Sequence, residues 1–370
     1  MDAFYVACEL RDRPELVGRP VIVGPDPRLG FTRGVVLSAS YEARKFGVRS
    51  AVPALRALRA CPEAVWVPAD FTKYERAAHE IRDFLASRGE RVVPLSIDEA
   101  AVRVEVEGPE LAREAAREIQ SGLRDQLHLP ASLGVSTDRT VAKIASDRAK
   151  PGGIVVVPPS EIAAFLEPLP VEVVPGIGPK TSERLHALGV TTVGSLLEIA
   201  PARLRSVVGE MVHELRALAQ GSPIDRTGEE DERSPRSRST AQTFGEDVGD
   251  LEELRDVADA LSTSLAGSLA SERLRFQTVT IGLRWEDFDR TQRSHTLSAA
   301  HEDAETLRQA ARRILGESWA EEQAGAGRKV RTLTVGVERL SERRMRQPTL
   351  ESFAAPTNDM SRDPVRRPGP

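Results

Sequence analysis

The chain has 370 residues, 40% hydrophobic and 29% charged, with a formal net charge of −5. That length is long for one core and implies two or more domains. No stretch reaches 18 uncharged apolar residues and no basic-then-apolar leader opens the chain, so a cytoplasmic protein is expected, and the acidic balance argues against nucleic acid unless basic residues gather locally.

The opening "MDAFYVACELRDRPELVGRPVIVG" reads as a strand-like start running into the aromatic pair Phe4 and Tyr5. Cys8 and Cys61 lack a C-x-x-C spacing and are expected as reduced thiols, and the six histidines never fall at i, i+4, which argues against zinc. "RPVIVG" and "RGVVLSAS" look β-rich. "FTKYERAAHEIRDFLASRG" carries Tyr74, Ala78, Ile81 and Leu85 at helical spacing, while "AVRVEVE" alternates, with Val102, Val104 and Val106 on one face. An amphipathic helix, "ELAREAAREIQSGLRDQL", and a strand around "ASLGVS" follow, a pattern that fits a sheet covered by helices.

"VVPLSIDEAAVRVE" places Asp98 beside Glu99 between two strand-like runs. The pair reads either as a charged hairpin turn or as a divalent-metal site, since hard cations such as Mg²⁺ take carboxylate oxygens together with substrate phosphates. Neighbours in a regular strand face opposite ways, so both reach one ion only if the strand bends there.

Beyond residue 170 the chain turns helical. "VPGIGPKTSERLHALG" has the form of a helix-hairpin-helix, with Gly176 and Gly178 permitting the turn and Pro179 in the first helical turn, although a plain helical turn is the alternative. "GSPIDRTGEEDERSPRSRSTAQTFGED" is polar and reads as a linker. Two helix–strand pairs then make a small α+β domain. In the tail, "QPTLESF" sets Gln347, Leu350 and Phe353 at i, i+3 and i+6, one helical turn's worth of plug for a partner groove.

"MDAFYVACE", "ASYEARKFGVRSAVP", "SIDEA" and "GVSTDRTVAKIASDRAKPGG", in that order, resemble the Y-family DNA polymerases, the translesion enzymes of the DNA polymerase IV type. The resemblance runs through most of the chain. It implies an α+β multidomain, right-hand polymerase: palm and small fingers over 1–168, a helix-hairpin-helix thumb over 169–225, a linker over 226–243, an α+β little finger over 244–342 and a disordered tail over 343–370. It also implies a monomer that adds dNTPs to primer-template DNA with low fidelity, using two Mg²⁺ ions, with Asp98 and Glu99 as catalytic metal ligands.

By the same resemblance Tyr5 is the steric gate under the sugar, and Phe4, Ser38, Tyr41, Arg44 and Lys150 meet the incoming nucleotide, with Lys45 a weaker candidate. Gly176, Gly178, Lys180, Arg236 and Arg238 fall on DNA, as do Arg284, Arg290, Arg293 and Arg331 of the little finger. The tail resembles the PCNA-interacting peptide of sliding-clamp clients, with Ala354 where a second aromatic is usual, and raises an archaeal source. Two departures stand out. The tyrosine that usually follows "SIDEA" is Ala101, and the family's first metal-binding aspartate precedes the position held here by Met1, so the chain as written is expected to polymerise poorly. Asp2 lies two positions further along, too far to substitute. A catalytically silent, clamp-tethered DNA-binding scaffold and a helix-hairpin-helix nuclease are the alternatives.

Overall fold

The computed structural model describes residues 1–31, 33–222, 236–323 and 327–342. The chain divides into two compact units, Met1–Arg233 and Ser234–Pro370.

The first unit opens with helix α1 (Phe4–Asp12), where the strand-like start was expected. The reason is apolar spacing: Phe4, Ala7 and Cys8 fall on one helical face and are all buried. Strands β1 (Val21–Val23) and β2 (Ser38–Ala39) pair antiparallel, followed by α2 (Tyr41–Arg44) and α3 (Ala54–Ala60), and β3 (Val65–Val67) adds parallel to β1. Helix α4 (Phe71–Ala86) is capped by Asp70, whose carboxylate accepts from the Lys73 amide at 3.1 Å. As its spacing predicts, Tyr74, Ala78, Ile81 and Leu85 are buried.

Hairpin strands β4 (Arg91–Pro94) and β5 (Ala100–Arg103) flank the carboxylate pair. Here β5 ends at Arg103, so the expected longer strand stops early and Val106 is exposed. The cause lies just beyond, where Gly108 starts α5 (Gly108–Leu127) with φ +84 and a proline follows in the first turn. Next come β6 (Leu133–Val135), α6 (Arg139–Ala149) and β7 (Ile154–Val156), which pairs parallel with β6. The expected single covered sheet is thus three small ones, of three, two and two strands, among the described residues. Gly134 in β6 lies hard against α6: a Cβ built on it would stand 2.0 Å from the Ala142 carbonyl oxygen and 2.3 Å from the Ser146 amide.

Helices α7 (Ile162–Leu166), α8 (Pro179–His186), α9 (Pro201–Val208) and α10 (Val212–Ala219) complete the unit. Their core of Leu166, Leu185, Leu196, Leu204 and Leu218 also takes in Val141 and Ile144 of α6, so packing runs on across the boundary expected at 168. Burial of these leucines, at about 1.5–3 kcal/mol each, rather than helix propensity, holds such short helices.

In the second unit, β8 (Ser237–Val248), α11 (Leu251–Ser271), β9 (Leu274–Trp285), β10 (Arg290–His301), α12 (Ala304–Gln323), β11 (Val330–Glu338) and β12 (Ser341–Glu342) build an antiparallel sheet in the order β10-β9-β11-β8, with β12 beside β9. The helices cover one face over Phe276, Val279, Ile281, Leu283 and Trp285. Residues 237–243, expected in the linker, are strand instead, with Ser237 opposite Glu338 and Thr243 opposite Thr332. Small polar residues on an edge strand with one open face carry no apolar alternation, which is why they read as a linker. No helix among the described residues is long and apolar enough to cross a membrane.

Candidate active site

Asp98 and Glu99 sit where the chain turns from β4 into β5. The amides of Leu95 and Ser96 both donate to the Glu99 carbonyl, at 2.8 and 3.1 Å, so the backbone turns there and does not run on as a regular strand. Asp98 accepts from the Ser96 hydroxyl at 2.8 Å. Glu99 accepts from Lys143 Nζ at 2.7 Å, Lys143 lies 3.7 Å from Asp147, and Asp147 accepts from Lys150 at 2.7 Å. Alternating charges thus run from the hairpin along α6. Lys143 is the member that sequence reasoning left without a role, although its i, i+4 spacing to Asp147 was there to be read. Burial is the largest single influence and opposes a charged Lys150, yet the Asp147 hydrogen bond together with the charges of Asp147, Glu99 and Asp2 raises the ammonium above its usual range.

Asp2 is 2% exposed and closed off: its carboxylate accepts from the Ser132 hydroxyl at 2.8 and 2.9 Å and from the Gly152 amide at 2.8 Å. It ties the start of α1 to the segment after Lys150. Tyr41 begins α2, with the Arg44 guanidinium 4.5 Å from its ring centroid. Its hydroxyl oxygen is buried without a hydrogen-bond partner. Burial, with Asp2 next, pushes that hydroxyl's pKa up, while Arg44 and Lys150 pull it down. Arg44 also donates to the Ala39 carbonyl at 3.0 Å. A buried, unsatisfied hydroxyl between two cations is a place for an anionic acceptor.

Tyr5 packs against Tyr74 with ring centroids 4.8 Å apart, and Phe71 lies edge-on at 6.3 Å. Burial, and then the Asp98 carboxylate, raise the Tyr5 hydroxyl. Phe4 does not join the site through its side chain: it is 2% exposed and faces the α4 core, one helical position round from Tyr5, which leaves its backbone at the start of α1 as the part that can meet a nucleotide. Ser38 is likewise buried in β2, and Lys45 is exposed. A third group was missed altogether. Glu9, 1% exposed, accepts from Tyr74 at 2.8 Å, Lys73 at 2.9 Å and Arg13 at 2.8 Å, so α1 and α4 are pinned together beneath Tyr5. Its partners on α4 are 64 and 65 residues away, and no local pattern announces them.

At the helix-hairpin-helix, Gly176 has φ +96, the left-handed conformation its residue type serves. Gly178, at φ −85, caps α8 in open space with Pro179 behind it, and Lys180 is exposed. Pro179 has no amide and the Thr181 amide donates to the Gly178 carbonyl at 3.0 Å, so in the first turn of α8 it is the Lys180 amide that is left for an anion.

The open face of the second unit's sheet carries Thr278, Thr280, Gly282 and Arg284 of β9, flanked in register by Arg290 and Gln292 of β10 and Thr332 and Thr334 of β11. It forms a shallow concavity of about 430 Å³. Arg236 is exposed beside β8. Arg238 and Arg293 are corrected: in register with Val337 and Ile281 they fall on the helix-covered side, where Arg238 pairs with Glu272 at 2.7 Å and Arg293 with Glu321. Gln347, Leu350 and Phe353 lie outside the described residues.

Two carboxylates on a bend, with cations beside them, fit a hard divalent ion whose remaining ligands are substrate oxygens and water. Among the described residues no group of three or more His, Cys, Asp or Glu could hold a metal without such help.

Comparison with known proteins bears on this arrangement directly. The model of the impB/mucB/samB family matches residues 1–147, that of the IMS family HHH motif residues 159–190, and that of the impB/mucB/samB family C-terminal domain residues 235–350. DNA polymerase IV 2 of Methanosarcina mazei is 37% identical over 356 residues, covering 95% of this chain and 94% of that protein. DNA polymerase IV of Halorhodospira halophila is 40% identical over 293 residues, 78% of this chain and 80% of that one. A solved Y-family DNA polymerase chimera superposes with a TM-score of 0.84 at 25% identity, over 92% of this chain and 98% of its own.

Proposed function

The chain belongs to the Y family of DNA polymerases, in its DNA polymerase IV branch, and from that premise we propose that it extends primers on damaged templates in translesion synthesis. It is a DNA-directed DNA polymerase with palm, thumb and little finger. The observation that carries the finer reading is the meeting of the Asp98–Glu99 bend with Lys143, Lys150, Arg44 and the unsatisfied Tyr41 hydroxyl in one unit.

In this reading the protein works as a monomer on primer-template DNA. Asp98 and Glu99 hold Mg²⁺, two ions in the family's chemistry, which when bound neutralise phosphate charge and activate the attacking hydroxyl. The chain's own residues do the rest. Lys143 holds Glu99 in place until the substrate arrives, and Lys150, Arg44 and Tyr41 take the triphosphate, where fixed cations and donors stabilise charge on the phosphoryl oxygens. Tyr5, backed by Tyr74, offers its ring to the sugar, so a 2′-hydroxyl meets aromatic carbon. The Lys180 amide at the start of α8 and the open sheet face hold the DNA backbone without reading its sequence.

Primer extension opposite an abasic site tests this. D98N and E99Q are expected to lower incorporation roughly a thousandfold or more. Incorporation unchanged in D98N would refute the site, whereas DNA binding with no incorporation even after an upstream strand ending in aspartate is added would favour the clamp-tethered scaffold. For the tail we propose docking on a PCNA-like ring. Alanine at Gln347, Leu350 and Phe353 together should abolish retention on immobilised clamp while leaving extension of short primers intact, and undiminished retention counts against the motif.

A further inference from the structure

The β9–β10 hairpin turns through Glu286–Asp289, with the Trp285 amide donating to the Asp289 carbonyl at 3.0 Å and the Phe288 amide to the Trp285 carbonyl at 2.9 Å. Phe288 adopts φ +71, a left-handed conformation that glycine or asparagine takes readily and a bulky ring does not. Its side chain is 54% exposed, so core burial does not offset that cost. A ring kept in a strained, solvent-facing position points to a use for the ring.

Its surroundings say what use. The guanidinium of Arg284 lies 4.9 Å and that of Arg331 4.6 Å from the Phe288 ring centroid, and Arg290 stands opposite Arg284 in the strand register. Among the described residues none of these three arginines has a carboxylate partner, and Arg284 Nε is buried without an acceptor. Three acids nearby are spent elsewhere: Asp287, Asp289 and Glu322 all pair with Arg328, whose guanidinium lies 4.9 Å from the centroid of Trp285, a residue of the helix-covered side. Glu286, exposed in the turn, is the one acid left there against the three arginines.

We propose that Phe288, Arg284, Arg290 and Arg331 form a site for an unpaired nucleotide of single-stranded DNA, a proposal that rests on the polymerase reading above. Three unpaired arginines call for an anion, and a phosphodiester supplies it. The exposed ring calls for a flat apolar partner. A duplex stacks its bases against each other, so a free base face comes from an unpaired strand.

Fluorescence anisotropy on the full chain tests it, with labelled oligo(dT) and a labelled hairpin duplex as probes. F288G should weaken oligo(dT) binding about tenfold, leave duplex binding within about twofold, and leave the melting temperature unlowered, because glycine suits the turn. F288W should retain oligo(dT) affinity, and R331A should flatten the salt dependence for oligo(dT) by about 0.7 in log–log slope. Oligo(dT) affinity unchanged in F288G, or equal losses on both probes with a lowered melting temperature, would overturn the proposal and leave a turn residue only. Failure of the wild type to bind either probe would instead strike the polymerase reading itself.

Discussion

Replacing Glu9 by alanine removes a carboxylate that three donors share below the surface, and the cost can be worked from what each donor is left with. Tyr74 is wholly buried and loses the acceptor at 2.8 Å, stranding a hydroxyl at about 1–3 kcal/mol. Lys73 keeps Asp12 at 2.9 Å and Arg13, 41% exposed at its side chain, turns to water, so both are partly compensated. Adding the methylene and carboxylate volume left empty brings the loss to about 3–5 kcal/mol, the range for breaking a buried ion pair. Across a unit of this size that is a drop of about 6–20 °C in melting temperature. Calorimetry of the full chain reads it as a shift in the transition of the first unit, with that of the second as internal control. A shift below about 1 kcal/mol, or equal movement of both transitions, would show that the network does not bind α1 to α4.

Two further outcomes follow. Y5A should raise ribonucleotide incorporation relative to deoxyribonucleotide by at least about tenfold, since a steric clash rather than a hydrogen bond is being removed, and an unchanged ratio in competition assays would take the gate away from Tyr5. Burial raises the Cys8 thiol from 9.0 to about 12, so above pH 9 the folded chain binds more protons than the unfolded one and stability falls toward pH 12. The slope approaches about −1.4 kcal/mol per pH unit for this thiol, and below pH 9 it contributes none. C8A should therefore show a shallower alkaline loss of stability between those limits, and parallel curves would contradict the burial argument.

Much of this was legible in the residues. Tyr74, Ala78, Ile81 and Leu85 announced α4 because one buried stripe repeats at helical period, and "SIDEA" with "YEARKFGVRSAVP" announced the site because its chemistry sits in contiguous residues. What stayed hidden depends on partners distant in the chain or on faces left open. Glu9 reads as one more surface acid until α4 folds beneath it. Arg238 reads as a linker cation because its strand pairs with β11, some 90 residues on, and alternation alone does not say which face the helices will cover. Phe4 and Tyr5 are adjacent, and only the turn of α1 sends one into the core and the other to the site.

Gly134 belongs to neither the hairpin nor the substrate surface, yet it sets the reach of both. Because it presents bare backbone to α6, that helix seats itself a methyl's depth closer to β6 than any other residue would allow. Lys143, Asp147 and Lys150 ride on or just past that helix, so the 2.7 Å between Lys143 and Glu99 is dictated from behind. An added Cβ would lift the whole row of charges off the carboxylates without touching one of them. The working tolerance of the active centre is held by an atom the chain omits.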